Sequence, residues 1–297
     1  MKKVRKKLIS TSAKGLAADS FPMQLYQKAK KFGTWNPADI DFSKDQEDWH
    51  SLSEGQREWA IKLLAQFQGG EEAVTLDLLP LLMVTAREGR LEEEIYLTTF
   101  LYDEAKHTEF FRLVLNAVGE HGDLSHHHSE AYKKIFYELL PEVMEKLWHD
   151  QSPEAIADAS CVYNMFAEGV LAETGYKAFH DGLQTIGKMP GLLKGIEHLK
   201  RDEARHISYG TYLLQRLISE HPHLYPLILK RLTELAPIAA ELNAEGMVLR
   251  QKDSGKQAAA IQDIQQFSAK QLRVRMEILG RARGRTVEEI FRGDGGE

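Results

Sequence analysis

Hydrophobic residues recur every three or four positions through most of this chain, which is the spacing of one face of an α-helix. The pattern predicts seven long helices with short polar breaks between them, at about 53–87, 90–119, 129–149, 153–181, 189–220, 224–251 and 257–280. Up to about residue 50 the pattern is irregular, with only short segments. Pro80 and Pro141 lie inside two of the predicted helices and are expected to kink or divide them. We therefore predict an all-α fold.

Two of these helices carry a Glu-x-x-His motif within an otherwise apolar stripe. The segments "DEAKH" and "DEARH" place Glu104 with His107, and Glu203 with His206, three residues apart and so on one helical face. A buried carboxylate or imidazole without a partner costs several kcal/mol, as an order of magnitude. A polar network between the helices could compensate for one such motif. Two matched motifs instead favour a shared metal site.

The partner helices supply further acidic residues. The apolar stripe of the first long helix passes through Glu71, and Glu72 lies about 100° around the helix. The stripe of the fourth passes through Glu168, and periodicity leaves its competitor Glu173 open. Glu71 precedes Glu104 by 33 residues and Glu168 precedes Glu203 by 35, as expected for two similar antiparallel helix pairs. Four carboxylates and two imidazoles suit iron or manganese rather than an iron–sulfur cluster.

An aspartate precedes each motif by one residue. Asp103 and Asp202 lie four residues before His107 and His206, respectively. We expect at least one of them to accept the outer N–H of a ligand histidine, on its own helix or across to the other. The alternative is a salt bridge to the neighbouring Lys106 or Arg205.

Composition narrows the function classes. The 297 residues carry a net charge of −6, with a pI near 6.1, which argues against broad nucleic-acid binding. The single cysteine, Cys161, excludes an internal disulfide, fits a reducing cytoplasm and is expected to be a small buried hydrophobe. No apolar run reaches the roughly 18 residues of a membrane span, so stable membrane insertion is not expected. The basic start "MKKVRKKLIS" and the histidines 126–128 are expected to be a solvated arm and a solvated loop.

With these motifs, the chain resembles the ribonucleotide reductase small-subunit superfamily over about residues 55–220. Within it, the segments "QGGEEAVT", "DEAKHTEFF", "CVYNMFAEGVLAETGY" and "RDEARH" resemble the ligand-binding oxidases, which carry a manganese/iron site. The resemblance implies a ferritin-like four-helix bundle. No linker or low-complexity stretch divides the chain, so we expect a single domain, 1–297, with extra helices at about 224–280. Phe111 replaces the usual radical tyrosine, and the tail "RGDGGE" lacks an aromatic residue. Ribonucleotide reduction is therefore the alternative, followed by a ferroxidase or metal-storage bundle.

The resemblance also implies roles for particular residues. Manganese would be bound by Glu71, Glu104 and His107, and iron by Glu168, Glu203 and His206, with Glu104 bridging; a di-iron centre is also possible. In the oxidases a tyrosine five residues before the third-helix ligand forms an ether with a valine three residues after the first-helix ligand. Tyr163 and Val74 hold these places, which supports Glu71 and Glu168 over their competitors.

The implied partners are O2, an unknown electron donor, a long-chain fatty acid in an apolar channel, and a second copy of the chain in a homodimer. Four glycines near the expected ligands remove side-chain volume that such a channel needs, although close helix packing would explain them equally well. They are Gly69, Gly70, Gly169 and Gly175.

Overall fold

The computed structural model describes residues 15–244, 248–249 and 254–293. The basic N-terminal arm and the last four residues of the tail lie outside this part of the chain. The α-helices are α1 (Phe21–Phe32), α2 (Ser43–Ser51), α3 (Glu54–Arg87), α4 (Leu91–Ala117), α5 (Glu130–Lys133), α6 (Leu140–Lys146), α7 (Pro153–Ser160), α8 (Glu173–Ile186), α9 (Pro190–Glu220), α10 (Leu224–Ala244), α11 (Ser254–Gly280) and α12 (Val287–Arg292). The described residues contain no strand, so the predicted all-α class is confirmed.

Four long elements surround the centre of the molecule: α3, α4, α9, and the continuous run of α7, a π-helical segment at Cys161–Ala172 and α8. α10 and α11 pack together and against the π-helical segment. This arrangement confirms the predicted ferritin-like bundle with additional helices. No helix in the described ranges is long and apolar enough to cross a membrane.

Side chains that accept from free backbone N–H groups lie at the start of the two longest helices. α3 starts with a capping box, in which the Ser53 hydroxyl accepts from the Gln56 N–H and the Gln56 side chain accepts from the Ser53 N–H. α3 then continues through Pro80 as one helix. At the start of α9, the carboxylate of Asp45 on α2 accepts from the backbone N–H groups of Gly191 and Leu192. α2 therefore anchors the helix that carries the second motif.

The main departures from the predicted elements lie at the N-terminus and in two π-helical segments. α1 and α2 occupy the stretch expected to be irregular, and α1 packs against α4 and α9. The helix expected over 153–181 contains the π-helical segment at Cys161–Ala172, and a second one at Lys134–Leu139 ends just before Pro141. Proline lacks the N–H that an α-helical bond would need at this point.

Two apolar clusters lie on either side of a polar layer. Along α4, Phe100 belongs to one cluster and Phe111 to the other, with Glu104 and His107 between them. The same alternation occurs on α9, where Leu199 and Tyr209 flank the second motif. The core is therefore interrupted at one level of the bundle, and this level holds the candidate site.

Candidate metal centre

The structure brings the six predicted metal-binding side chains together at one level of the bundle. Each is at most 5% exposed. Their potential ligand atoms form two overlapping groups, and within each group all atoms lie within 4.8 Å of one another. The first group contains Glu71, Glu104, His107 and Glu203, and the second contains Glu104, Glu168 and His206. Glu104 belongs to both, as a bridging ligand would.

Carboxylate oxygens surround one nitrogen of each histidine. Nδ1 of His107 lies 3.6 Å from Glu71 Oε2 and 3.4 Å from Glu203 Oε1. Nδ1 of His206 lies 3.1 Å from Glu104 Oε1 and 3.3 Å from Glu203 Oε2. Glu203, which the sequence assigns to the second metal alone, thus faces both histidines through its two oxygens. Glu168 Oε1 is 3.9 Å from His206 Nδ1.

Both competing acids face away from this cluster. Glu72 is exposed and accepts a hydrogen bond from Gln68 on its own helix, at 2.7 Å. Glu173 is 26% exposed in its side chain and lies 3.5 Å from Arg275 of α11. The π-helical segment keeps Glu168 inside the bundle, and Asn164 from the same segment donates to Glu168 at 3.2 Å. Each competing acid therefore lies outside the cluster.

The two aspartates cross over between the motifs. Asp202 of α9 lies 3.3 Å from Nε2 of His107 on α4, and Asp103 of α4 lies 3.5 Å from Nε2 of His206 on α9. Both aspartates also pair with the basic residues considered as the alternative. Lys106 lies 2.9 Å from Asp103 and 3.0 Å from Asp202. Arg205 also reaches both. The histidine contacts and the salt bridges thus occur together.

Two side chains at the site were not predicted from the sequence pattern. Trp35, in the stretch before α2, donates its indole N–H to Asp202 at 2.7 Å. The Tyr176 hydroxyl of α8 lies 3.2 Å from Glu71 Oε1 and 3.3 Å from Glu203 Oε1, so its one hydrogen is shared between the two carboxylates. Trp35 lies outside the predicted helices and carries no periodic signal. Tyr176 lies on the face that periodicity assigned to the competitor Glu173.

The cluster has the properties of a cation site. Within the described chain, several buried atoms have no hydrogen-bond partner, including both oxygens of Glu104 and Nδ1 of each histidine. Burial raises the pKa of Glu71 to about 8 and that of Glu168 well above its ordinary value. Burial alone would lower the pKa of His107, but Asp202, Glu104 and Glu71 hold it well above its ordinary value. Two divalent cations would satisfy these atoms and replace the protons.

A cavity of about 70 Å³ adjoins the cluster. Glu71, Glu104, Glu168 and Glu203 form its polar end, and the rest is mainly apolar, including Phe67, Val74, Tyr132, Phe136, Ala167, Leu171 and Leu242. Its volume suits only a small molecule. Val74 lines this cavity, and its backbone carbonyl accepts a hydrogen bond from the Tyr163 hydroxyl at 3.3 Å.

Two other candidate features lie outside this cluster. The histidines 126–128 are at least partly exposed, and His128 contacts the carbonyl of Ala65 at 3.1 Å and the hydroxyl of Tyr137 at 2.9 Å. They are in neither potential metal-binding group. Cys161 is fully buried, and burial raises the pKa of its thiol, which disfavours a nucleophilic thiolate.

Comparison with known proteins agrees with this geometry. The sequence model of the family "Ribonucleotide reductase, small chain" matches residues 19–247. Similar solved structures include mutants of an R2-like ligand-binding oxidase. A valine-to-leucine mutant with an anaerobically reconstituted Mn/Fe cofactor is 42% identical, with a TM-score of 0.83, over 89% of this chain and 95% of that chain.

Two further mutants give similar values. A glycine-to-leucine mutant with an anaerobically reconstituted Mn/Fe cofactor is 43% identical over 89% of this chain and 94% of that chain, with a TM-score of 0.83. A tyrosine-to-phenylalanine mutant with an aerobically reconstituted Mn/Fe cofactor is 41% identical over 89% and 95%, with a TM-score of 0.81. The chain therefore belongs to the ribonucleotide reductase small-chain family, and within that family it groups with the R2-like ligand-binding oxidases.

Proposed function

We propose that this oxidoreductase uses O2 and a dinuclear centre of one manganese and one iron ion. The observation that carries the proposal is the convergence of six buried side chains, with unsatisfied ligand atoms, from four elements of the bundle. The similar oxidases have Mn/Fe cofactors, and carboxylate and imidazole ligands suit both metals or two irons. Glu71, Glu104 and His107 would hold manganese, and Glu168, Glu203 and His206 would hold iron, with Glu104 between them.

When bound, the metals would supply electrons to O2 and then the oxidising power to remove hydrogen from a C–H bond. The residues of the chain hold and orient them. Asp202 accepts the Nε2–H of His107, which leaves Nδ1 free to bind a metal. The hydroxyl of Tyr176 positions Glu71 and Glu203. The apolar clusters on both sides keep bulk water away from the reaction.

We also propose an ether crosslink between the Tyr163 oxygen and the side chain of Val74. Both residues are buried, and the Tyr163 hydroxyl lies 3.3 Å from the Val74 carbonyl. Formation of the C–O bond would remove the phenolic hydrogen, one valine hydrogen and two electrons, and the bound metals, once oxidised by O2, would be the oxidant that accepts these electrons. Intact-mass analysis of the aerobically assembled protein should show the loss of two hydrogens. Tyr163→Phe should run at its sequence mass, and an unmodified mass for both proteins would contradict the crosslink.

The proposed external ligand is a long-chain fatty acid or a similar apolar acid. Its acid group would face the carboxylate–histidine cluster, and its chain would follow the apolar wall past Tyr132 and Phe136, which must move. Organic extraction and mass spectrometry of the purified protein should detect such an acid. Ala167→Phe should abolish its retention by filling the cavity, whereas Ala204→Leu, at an exposed position of α9, should not. Equal retention by both variants would contradict the placement.

The metal centre itself is tested by counting metals and measuring O2 uptake. We expect two metals per chain and O2 consumption by the reduced protein. Glu104→Ala should lose both metals because Glu104 belongs to both groups, whereas the matched control Glu72→Ala should retain them. Two metals bound equally by both variants would refute the assignment. Far more than two metals per chain would instead indicate iron storage.

For the alternative function, ribonucleotide reduction, the chain lacks the usual radical tyrosine. Phe111 is fully buried and stacks on Phe67 with ring centroids 5.1 Å apart, so no hydroxyl is available there. Co-purification with a large catalytic subunit would favour that alternative function.

We further propose that the chain forms a single domain, assembles as a homodimer and receives electrons from an external donor. Size-exclusion chromatography with light scattering tests the dimer, and a monomeric mass would exclude it.

A further inference from the structure

A chain of aromatic rings leads away from the candidate metal centre on the His206 side. Phe100 stacks on His206 with ring centroids 3.6 Å apart. Tyr96 meets the edge of Phe100 at 6.2 Å, and Tyr209 lies 5.2 Å from Tyr96. Tyr212 lies 6.1 Å from Tyr209. The rings therefore form a continuous path through the apolar cluster.

The outer end of this path reaches a second cavity. Tyr212 lines a cavity of about 540 Å³, together with Phe21, Arg275 and Arg281. Phe21 stacks on Tyr212 with ring centroids 5.7 Å apart, and Arg281 is exposed. A small molecule in this cavity would lie next to the last tyrosine of the path.

The two outer tyrosines share one buried carboxylate. Tyr209 donates to Oε2 of Glu93 and Tyr212 donates to Oε1, both at 3.2 Å. Glu93 is 1% exposed, and Arg216 and Arg90 lie 3.4 Å and 3.8 Å from it. Phenylalanines could fill the same space without burying two hydroxyls and a charge. The polar groups therefore call for an explanation other than packing.

A phenol releases an electron at neutral pH when its proton can leave at the same time, because the oxidised phenol is a strong acid. Glu93 offers Tyr209 and Tyr212 such a proton acceptor. The hydroxyl of Tyr96 has no hydrogen-bond partner among the described residues. Tyr96 therefore connects the rings electronically but is not itself prepared for oxidation.

We propose that Tyr209 and Tyr212, with Glu93 as their proton acceptor, form a redox relay that discharges the oxidised metal centre when no substrate is bound. This inference rests on the proposed function, which supplies the oxidant as the metal centre after its reaction with O2. One electron passes from Tyr212 through Tyr209 to that centre, and the phenolic proton moves to Glu93. A one-electron reductant of the ascorbate class then restores Tyr212 from the cavity, and Glu93 returns the proton.

Photochemistry of the metal-free protein tests the tyrosines without metal chemistry. A ruthenium polypyridyl photo-oxidant is attached to Arg281→Cys, at the cavity of Tyr212, while the buried Cys161 stays unlabelled. Electron paramagnetic resonance after a light pulse should detect a tyrosyl radical at neutral pH. The double variant Tyr209→Phe/Tyr212→Phe should lose it. The control variant Tyr225→Phe should keep it. Tyr225 lies beside Gly280, the neighbour of the labelled position, but is not part of the proposed relay. An unchanged signal in the double variant would overturn the relay.

The role of Glu93 is tested by Glu93→Gln, which should also lose the radical at neutral pH. Arg216 keeps Glu88 and Glu220 as partners in this variant, and thermal unfolding checks that the fold survives. In the metal-loaded protein, ascorbate should discharge the optical absorption of the oxidised centre more slowly in the double variant than in Tyr225→Phe. Equal discharge would overturn the relay. O2 uptake by the wild-type protein tests the proposed function separately, because its absence would refute that function even if the photochemical radical forms.

Discussion

Substitution of Asp202 by asparagine should weaken metal binding more than the matched change at Asp103. Asp202 accepts from Trp35 at 2.7 Å and contacts Nε2 of His107 at 3.3 Å. Asparagine keeps the shape but removes the charge that holds the His107 N–H. Loss of such an outer partner typically lowers metal affinity about 10–100-fold, or about 1.4–2.7 kcal/mol.

Asp103→Asn is the control because it also removes one negative charge that pairs with the same two basic residues. Lys106 and Arg205 contact both aspartates, so the general electrostatic loss is similar in the two variants. The contact from Asp103 to His206 is longer, at 3.5 Å, and we expect an affinity loss of less than about 10-fold. The difference between the variants therefore reports the contacts that the two aspartates do not share, which are those of Asp202 with His107 and Trp35 and that of Asp103 with His206.

The assay is an anaerobic titration of the metal-free protein with Mn²⁺ or Fe²⁺ against a competing chelator. Circular dichroism spectra show whether both variants are folded, and unfolding in denaturant gives their stabilities. A larger affinity loss in Asp202→Asn supports the reasoning. Equal affinities in the wild-type protein and Asp202→Asn would refute it, since the His107 orientation would then not depend on this carboxylate.

Three further predictions concern stability. Gly195→Ala would place a Cβ 1.9 Å from the Phe110 ring and should destabilise the fold by about 1–3 kcal/mol in denaturant unfolding, whereas Gly55→Ala, which meets open space, should not. Burial and the nearby Glu145 raise the pKa of Asp77 from 3.8 to about 6. The folded chain therefore binds a proton at Asp77 more tightly than the unfolded chain does, so the free energy of unfolding falls as the pH rises between these two values. Asp77→Asn should flatten this pH dependence and raise the free energy of unfolding by about 1–2 kcal/mol at pH 7. Removing metal with a chelator should lower Tm, since metal at 100 times its Kd adds about 2.7 kcal/mol. A wild-type pH slope in Asp77→Asn, a Tm insensitive to chelator, or equal stabilities of the two alanine variants would contradict the corresponding prediction.

The sequence by itself determined the helical class and the inward face of each motif helix. Glu104, His107, Glu203 and His206 could be assigned because three-residue spacing within an apolar stripe is a local property of an α-helix. For the same reason α3, α4 and α9 begin and end within one or two residues of their predicted bounds. The polar residues in the stripes then indicated a cation, because burial without one is costly.

Only the tertiary structure decided which other groups complete the site. Periodicity left Glu168 and Glu173 open, because the π-helical segment shifts the register that a 3.6-residue repeat assumes. Asp202 meets the histidine of the other motif, 95 residues away, and Trp35 reaches Asp202 across 167 residues. Such contacts depend on how α1, α4 and α9 pack together, and a local pattern does not contain that information.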